Sequence, residues 1–203
     1  MKMTAIIPLG MLVGGALGAI VLAAVPSPWR QGDKPVRVAL APPKPAEPVG
    51  YVVKRALKID EPIVHGLWKW DEAGVPAGQI VITVDTKAQT MSVFRGGYEI
   101  GMAVVLYGAD WKPTPTGHYP ITQKKVHHIS NLYNAPMPYM QRLTSDGVAI
   151  HASDVREGFA THGCIGVPKA FAKKLFEATK LGDVVIVTNG ETLKVGQAIK
   201  VAS

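Results

Sequence analysis

Cys164 is the only cysteine in a chain of 203 residues, and the residues around it suit a nucleophile. His162 stands two positions before it, His151 thirteen before it, and Gly163 directly on its N-terminal side. The thiolate is the reactive form, and a free cysteine with pKa ~8.5 is mostly protonated at neutral pH, so a nearby imidazole must take the proton. Gly163 lets a substrate come close to the backbone, where adjacent amide N–H groups can receive the oxyanion of a tetrahedral intermediate. A residue flanking the nucleophile on a tight turn is badly placed to be its base. A histidine arriving on a separate strand can face the thiol, so His151 rather than His162 is the expected base. The plainer readings are a cysteine that is a small buried hydrophobe and a His162 that only hydrogen-bonds its own loop.

Zinc is the competing chemistry. His151, His162 and Cys164, with His127 or His128, would make a ligand set. Their spacings match no compact zinc pattern, and Asp154 and Glu157 have no evident supporting role. Neither a metal nor another cofactor is expected.

Composition bounds the setting. No charge occurs from Met3 to Trp29, and Thr4 to Val25 is mostly Ala, Ile, Leu, Val, Gly and Met, preceded by Lys2 and followed by Arg30, Lys34 and Arg37. Residues 1–29 therefore read as an N-terminal apolar helix, an export signal or a membrane anchor. Length favours the anchor, since roughly 20 apolar residues span a bilayer, while the Ala23-Ala24 pair leaves cleavage open. A single cysteine behind such a segment suits a free thiol better than a disulfide framework. The net charge of +7 suits an anionic envelope. Nucleic acid is not an expected partner, because no basic stripe interleaved with aromatics is present.

The elements that must hold the nucleophile follow from periodicity. Residues 30–77 begin as a linker rich in proline (Pro42, Pro43, Pro45, Pro48) and continue as a lead-in weighted by Ile63, Val64, Leu67, Trp68 and Trp70. From Gly78 the alternation of Ile80, Ile82 and Val84 with Val81, Thr83 and Asp85 predicts a strand. Thr90–Phe94 is a second, and Gly96-Gly97 turns into a third over Tyr98–Tyr107, giving an antiparallel run. Pro113-Thr114-Pro115-Thr116-Gly117 breaks the ladder, and one strand is expected through Tyr119 to Lys125. The long polar and aromatic segment His127–Arg142 reads as a lid over the site. Gly147–His151 is a short strand, Pro168–Lys180 a helix with proline in its first turn, and Asp183–Thr188 a buried strand. Residues 189–203 are a tail.

Ile150-His151, Thr161-His162-Gly163-Cys164-Ile165 and the upstream Pro113-Thr114-Pro115-Thr116-Gly117 together resemble the L,D-transpeptidase catalytic domain of bacterial cell-wall enzymes. The resemblance is to the branch with short His-to-Cys spacing, in which a segment like Tyr133–Met140 precedes the histidine, and it covers about residues 78–188. It implies a mainly β sandwich or barrel with one C-terminal helix. It also implies a cysteine acyltransferase of peptidoglycan stem peptides. The thiolate attacks at the L-centre of residue 3 of a tetrapeptide, D-alanine leaves, and an amine resolves the thioester into a 3→3 cross-link. By position, Cys164 is the nucleophile and His151 the base, its ring held by a backbone carbonyl near Ala152. Gly163 and His162 shape the site, the Gly163 and Cys164 amides serve the oxyanion, and Tyr133, Tyr139 and Thr161 are candidate substrate contacts. Acylation by carbapenem-type β-lactams, an envelope or periplasmic location and attachment to the inner membrane are further expectations.

Two positions depart from the family. Gly166 stands where an arginine or asparagine is usual, and Ala152 replaces a frequent glycine. The missing arginine would supply a fixed charge and a fork of donors for a carboxylate or for the loop. Arg142, Arg156 and Lys169 are the cations that could replace it. The alternatives are a member that binds wall peptides with little turnover and a carboxypeptidase with water as acceptor.

Overall fold

The computed structural model describes residues 51–199. The expected signal or anchor over 1–29 lies outside the described residues, and so does the linker up to residue 50. No helix among the described residues is long and apolar enough to cross a membrane. The described elements run β1 (Tyr51–Val52), β2 (Trp68–Trp70), β3 (Ile80–Asp85), β4 (Thr90–Arg95), β5 (Tyr98–Val104), β6 (Gly117–Pro120), β7 (Gln123–Lys125), β8 (Met140–Arg142), β9 (Ala149–Ala152), β10 (Ile165–Val167), α1 (Lys169–Ala178), β11 (Val184–Thr188) and β12 (Ala198–Ile199). This is the mainly β architecture with a single helix that the resemblance implies.

Six strands pair in the order β2-β5-β4-β3-β11-β6, four in the order β10-β9-β8-β7, and β1 pairs with β12. β3 is buried on both faces, which its β-branched composition suits. Ile80, Ile82 and Val84 enter the main core with Met91, Val93 and Ile100. Val81 faces a smaller cluster with Val53, Phe94, Ile186 and Ile199. The four-stranded sheet closes the main core from the other side through Ile150, Ile165 and Val167.

α1 seals this core with Phe171, Ala172 and Leu175, which are at most 1% exposed. Phe171 meets Trp68 and Trp70 edge-on, at centroid distances of 6.3 and 5.5 Å. The lead-in thus packs on the domain through its tryptophans. Pro168 is the N-cap rather than a residue of the first turn, and Thr179 ends the helix ahead of Lys180. The last turn lacks basic residues of its own. Lys124 arrives from β7 instead, donating to the Phe176 carbonyl at 2.6 Å and to that of Thr179, which satisfies carbonyls a helix end leaves open.

The expected strand from Tyr119 to Lys125 is two strands in different sheets. β6 pairs with β11 and β7 with β8. Between them Ile121 donates to Asp183 while Thr122 donates to Arg142, so the chain changes sheets at this step. The third strand of the antiparallel run stops at Val104, short of Tyr107. The segment expected to be a loop up to Arg142 ends in β8.

Candidate active site

β9 and β10 run parallel, pairing Ile150 with Ile165, His151 with Gly166 and Ala152 with Val167. Successive side chains in a strand point to opposite faces. Ile150, Ala152, Ile165 and Val167 enter the core, so His151 and position 166 face the other way. Cys164, two residues ahead of Gly166, lies on that same side, and Cys164 and His151 both line a cleft of about 710 Å³. The cysteine is partly buried and carries no disulfide.

His151 is held from behind. Its Nδ1 lies 2.9 Å from the Ala152 carbonyl and 3.4 Å from Ser153 Oγ. A carbonyl can only accept, so Nδ1 carries the proton and Nε2 keeps its lone pair.

The loop before Cys164 is fastened by two threonines. Thr161 Oγ1 donates to the Cys164 carbonyl at 2.5 Å, while the Thr161 backbone bonds Tyr107 and Ala109. Thr114, 6% exposed, accepts from the Gly108 N–H at 2.8 Å and donates to the Gly163 carbonyl at 3.0 Å. Gly163 has φ +103°, a backbone region that side chains disfavour.

His162 is exposed and lies between two rings, Tyr133 at 4.3 Å and Trp111 at 4.8 Å between centroids. Tyr133 thus comes to the cleft, whereas Tyr139 turns to Phe176 at 5.9 Å and packs on the core. His128 lines the cleft and His127 does not. Among the described residues no group of three or more His, Cys, Asp or Glu side chains is arranged to hold a metal. Of the three candidate cations, Arg142 lines the cleft; Arg156 pairs with Asp154 at 2.6 Å, and Lys169 is exposed outside it.

Burial sets the protonation of the pair. It pushes the Cys164 thiol up, against the Ala149 N–H and the Arg142 guanidinium, which pull it down. It pushes His151 down, against the bond to Ala152. Both effects favour the neutral forms, a thiol and an imidazole, over an ion pair.

Sequence reasoning used the Pro-Thr-Gly element as a motif but passed over Thr114, whose signal was a threonine set between two prolines. It also passed over Trp111, which nothing but its nearness to that motif marked.

The L,D-transpeptidase catalytic-domain (YkuD) family model matches residues 79–187, more than half of the chain, and the chain belongs to that family. Its structure is similar to an L,D-transpeptidase of Stackebrandtia nassauensis, with 28% identity and TM-score 0.52 over 61% of this chain and 62% of that one. It is also similar to an L,D-transpeptidase of Mycobacterium smegmatis, with 21% identity and TM-score 0.51 over 54% and 58%. A third is the L,D-transpeptidase LdtMt1 in complex with imipenem, with 22% identity and TM-score 0.51 over 54% and 58%. The match spans about three fifths of each of these chains. No curated protein matches the sequence.

Proposed function

We propose that the protein is a peptidoglycan L,D-transpeptidase with Cys164 as nucleophile and His151 as general base. The observation that carries this is the opening of both side chains into one cleft, with Nδ1 of His151 tied to Ala152 so that Nε2 is the free acceptor. His151 Nε2 takes the thiol proton as sulfur attacks the carbonyl of the third, L-configured stem residue. The Gly163 and Cys164 amides, which donate to no other backbone carbonyl among the described residues, stabilise the oxyanion. The intermediate collapses, the C–N bond breaks, and D-alanine leaves with the proton returned by His151. An amine of a second stem then attacks the thioester, His151 takes its proton, and the 3→3 bond forms as the thiol is regenerated.

Membership in the family supports an envelope location, with residues 1–29 as signal or inner-membrane anchor. The imipenem complex of LdtMt1 supports acylation of this chain by carbapenems. Incubating the purified protein with disaccharide-tetrapeptide and weighing the products tests the reading. Cross-linked dimer with free D-alanine supports it. Tripeptide alone means that water is the acceptor, and unchanged substrate means a binding protein.

A further inference from the structure

The sheet face that carries His151 also carries a cation the reaction above does not use. β8 pairs antiparallel with β9, setting Arg142 against Ala149 and Gln141 against Ile150. Gln141 and Ile150 are buried, each at most 1% exposed. By alternation Arg142, Ala149 and His151 share the opposite face, and Arg142 lines the cleft beside Cys164. Its Nε donates to Gln123 Oε1 at 3.3 Å. Its two terminal nitrogens have no hydrogen bond or ion pair among the described residues.

Neither acidic group of the cleft forms an ion pair with Arg142 among the described residues. Asp146 accepts from Thr144 Oγ1 at 2.5 Å, and Asp154 pairs with Arg156. The neighbouring strand cannot supply a second cation. A Cβ on Gly166 would lie 2.6 Å from Ser153 Oγ and 2.8 Å from its Cβ, so no side chain projects from that position into the cleft. A partly buried guanidinium with both terminal nitrogens free in a fixed fork fits a planar carboxylate.

We propose that Arg142 is the carboxylate-binding residue of the cleft, holding a carboxylate of the donor peptide beside the sulfur. The identity of that ligand rests on the acyl-transfer reading; the presence of the anion site does not. Two carboxylates qualify, the terminal one of the leaving residue and any on the side chain of the residue attacked.

Alkylation of Cys164 by iodoacetate and by iodoacetamide separates charge recognition from thiol reactivity. Any change in thiol reactivity affects both reagents, whereas a carboxylate site favours only the first. The iodoacetate-to-iodoacetamide rate ratio is expected to fall about tenfold in Arg142→Gln and to be partly kept in Arg142→Lys, the size expected for a charge-assisted pair. Lys112→Gln, which removes another cation of the same cleft, is expected to leave the ratio within about twofold. An unchanged ratio in Arg142→Gln, or an equal fall in Lys112→Gln, would overturn the proposal.

Tetrapeptide donors with a free or an amidated C-terminus then identify the source, read as acyl-enzyme mass. If Arg142→Gln slows only the free acid, the terminal carboxylate is bound; if it slows both equally, the side-chain carboxylate is. A wild type that forms no acyl-enzyme yet keeps the alkylation preference would sink the transpeptidase reading and leave the anion site standing.

Discussion

Ser153 occupies the space that a side chain on Gly166 would need, with its Oγ 2.6 Å from where the Cβ would stand. The same Ser153 Oγ lies 3.4 Å from His151 Nδ1, so the departure at position 166 is coupled to the seating of the imidazole. Gly166→Ala forces Ser153 or Leu106 to move and is expected to cost about 1–3 kcal/mol, the usual price of overpacking. It also slows acylation of Cys164. Ser153→Gly combined with Gly166→Ala removes the clash and restores a large part of the loss. A double-mutant cycle on thermal stability checks this, and simple additivity would contradict it.

Thr114 is the clasp between the Pro-Thr-Pro loop and the nucleophile loop. Thr114→Val keeps the volume but leaves the buried Gly108 N–H and the Gly163 carbonyl without their partner. A loss of about 2–4 kcal/mol is expected from two unmade buried bonds. Acylation should slow further because Gly163 is released. Urea denaturation with single-turnover acylation measures both effects.

His151 predicts the pH dependence of the first step. The base must be neutral, and burial moves its pKa below the ordinary 6.5. Acylation is therefore expected to hold a plateau at neutral pH and to decline on the acid side with a midpoint below 6.5. The thiol, moved above 9.0, ionises only beyond the alkaline end of that plateau. The same shift makes stability fall below pH 6.5, because the unfolded chain binds the proton that the folded imidazole refuses. His151→Ala should lower the acylation rate by about 10²–10⁴-fold, while His162→Gln keeps most of it. Equal losses in the two variants would leave the base unassigned.

Asp85 lies outside the cleft and tests stability alone. Burial pushes its carboxyl up, but bonds from the Ala88, Gly190 and Glu191 amides and the Thr188 hydroxyl outweigh this and hold it below the ordinary 3.8. The stability it contributes is present above pH 3.8 and is lost as pH falls through the lower folded value. Asp85→Ala should lose about 1–2 kcal/mol at neutral pH, since four part-buried hydrogen bonds to the carboxylate are lost while the freed amides can turn to water. Its acylation rate per folded molecule should match wild type, as thermal melts and active-site titration would show.

The long periodic strands and the helix were legible because each carries a repeating set of apolar side chains into the main core, as in Ile80, Ile82 and Val84 or Phe171 and Leu175. β8 and β10 have only three residues each, too few for a period to show, and their burial is decided by β9 between them. The switch of sheets after Pro120 depends on backbone bonds to Asp183 and Arg142, which lie far along the chain. In the site, Cys164 and His151 stood out by residue type, and the structure brings both to one cleft. Tyr139 looked equivalent to Tyr133 in composition, yet its backbone, at φ +56°, belongs to a segment that packs Tyr139 against Phe176. Thr114 is marked in the sequence only by its place between two prolines, because its importance comes from two backbone groups that only the fold brings together.

The most direct measurement is the intact mass of the protein after exposure to a carbapenem. A single stoichiometric adduct is expected on the wild-type chain and none on Cys164→Ala at equal folding. An adduct that survives in Cys164→Ala, or a folded wild type that takes none, would contradict it.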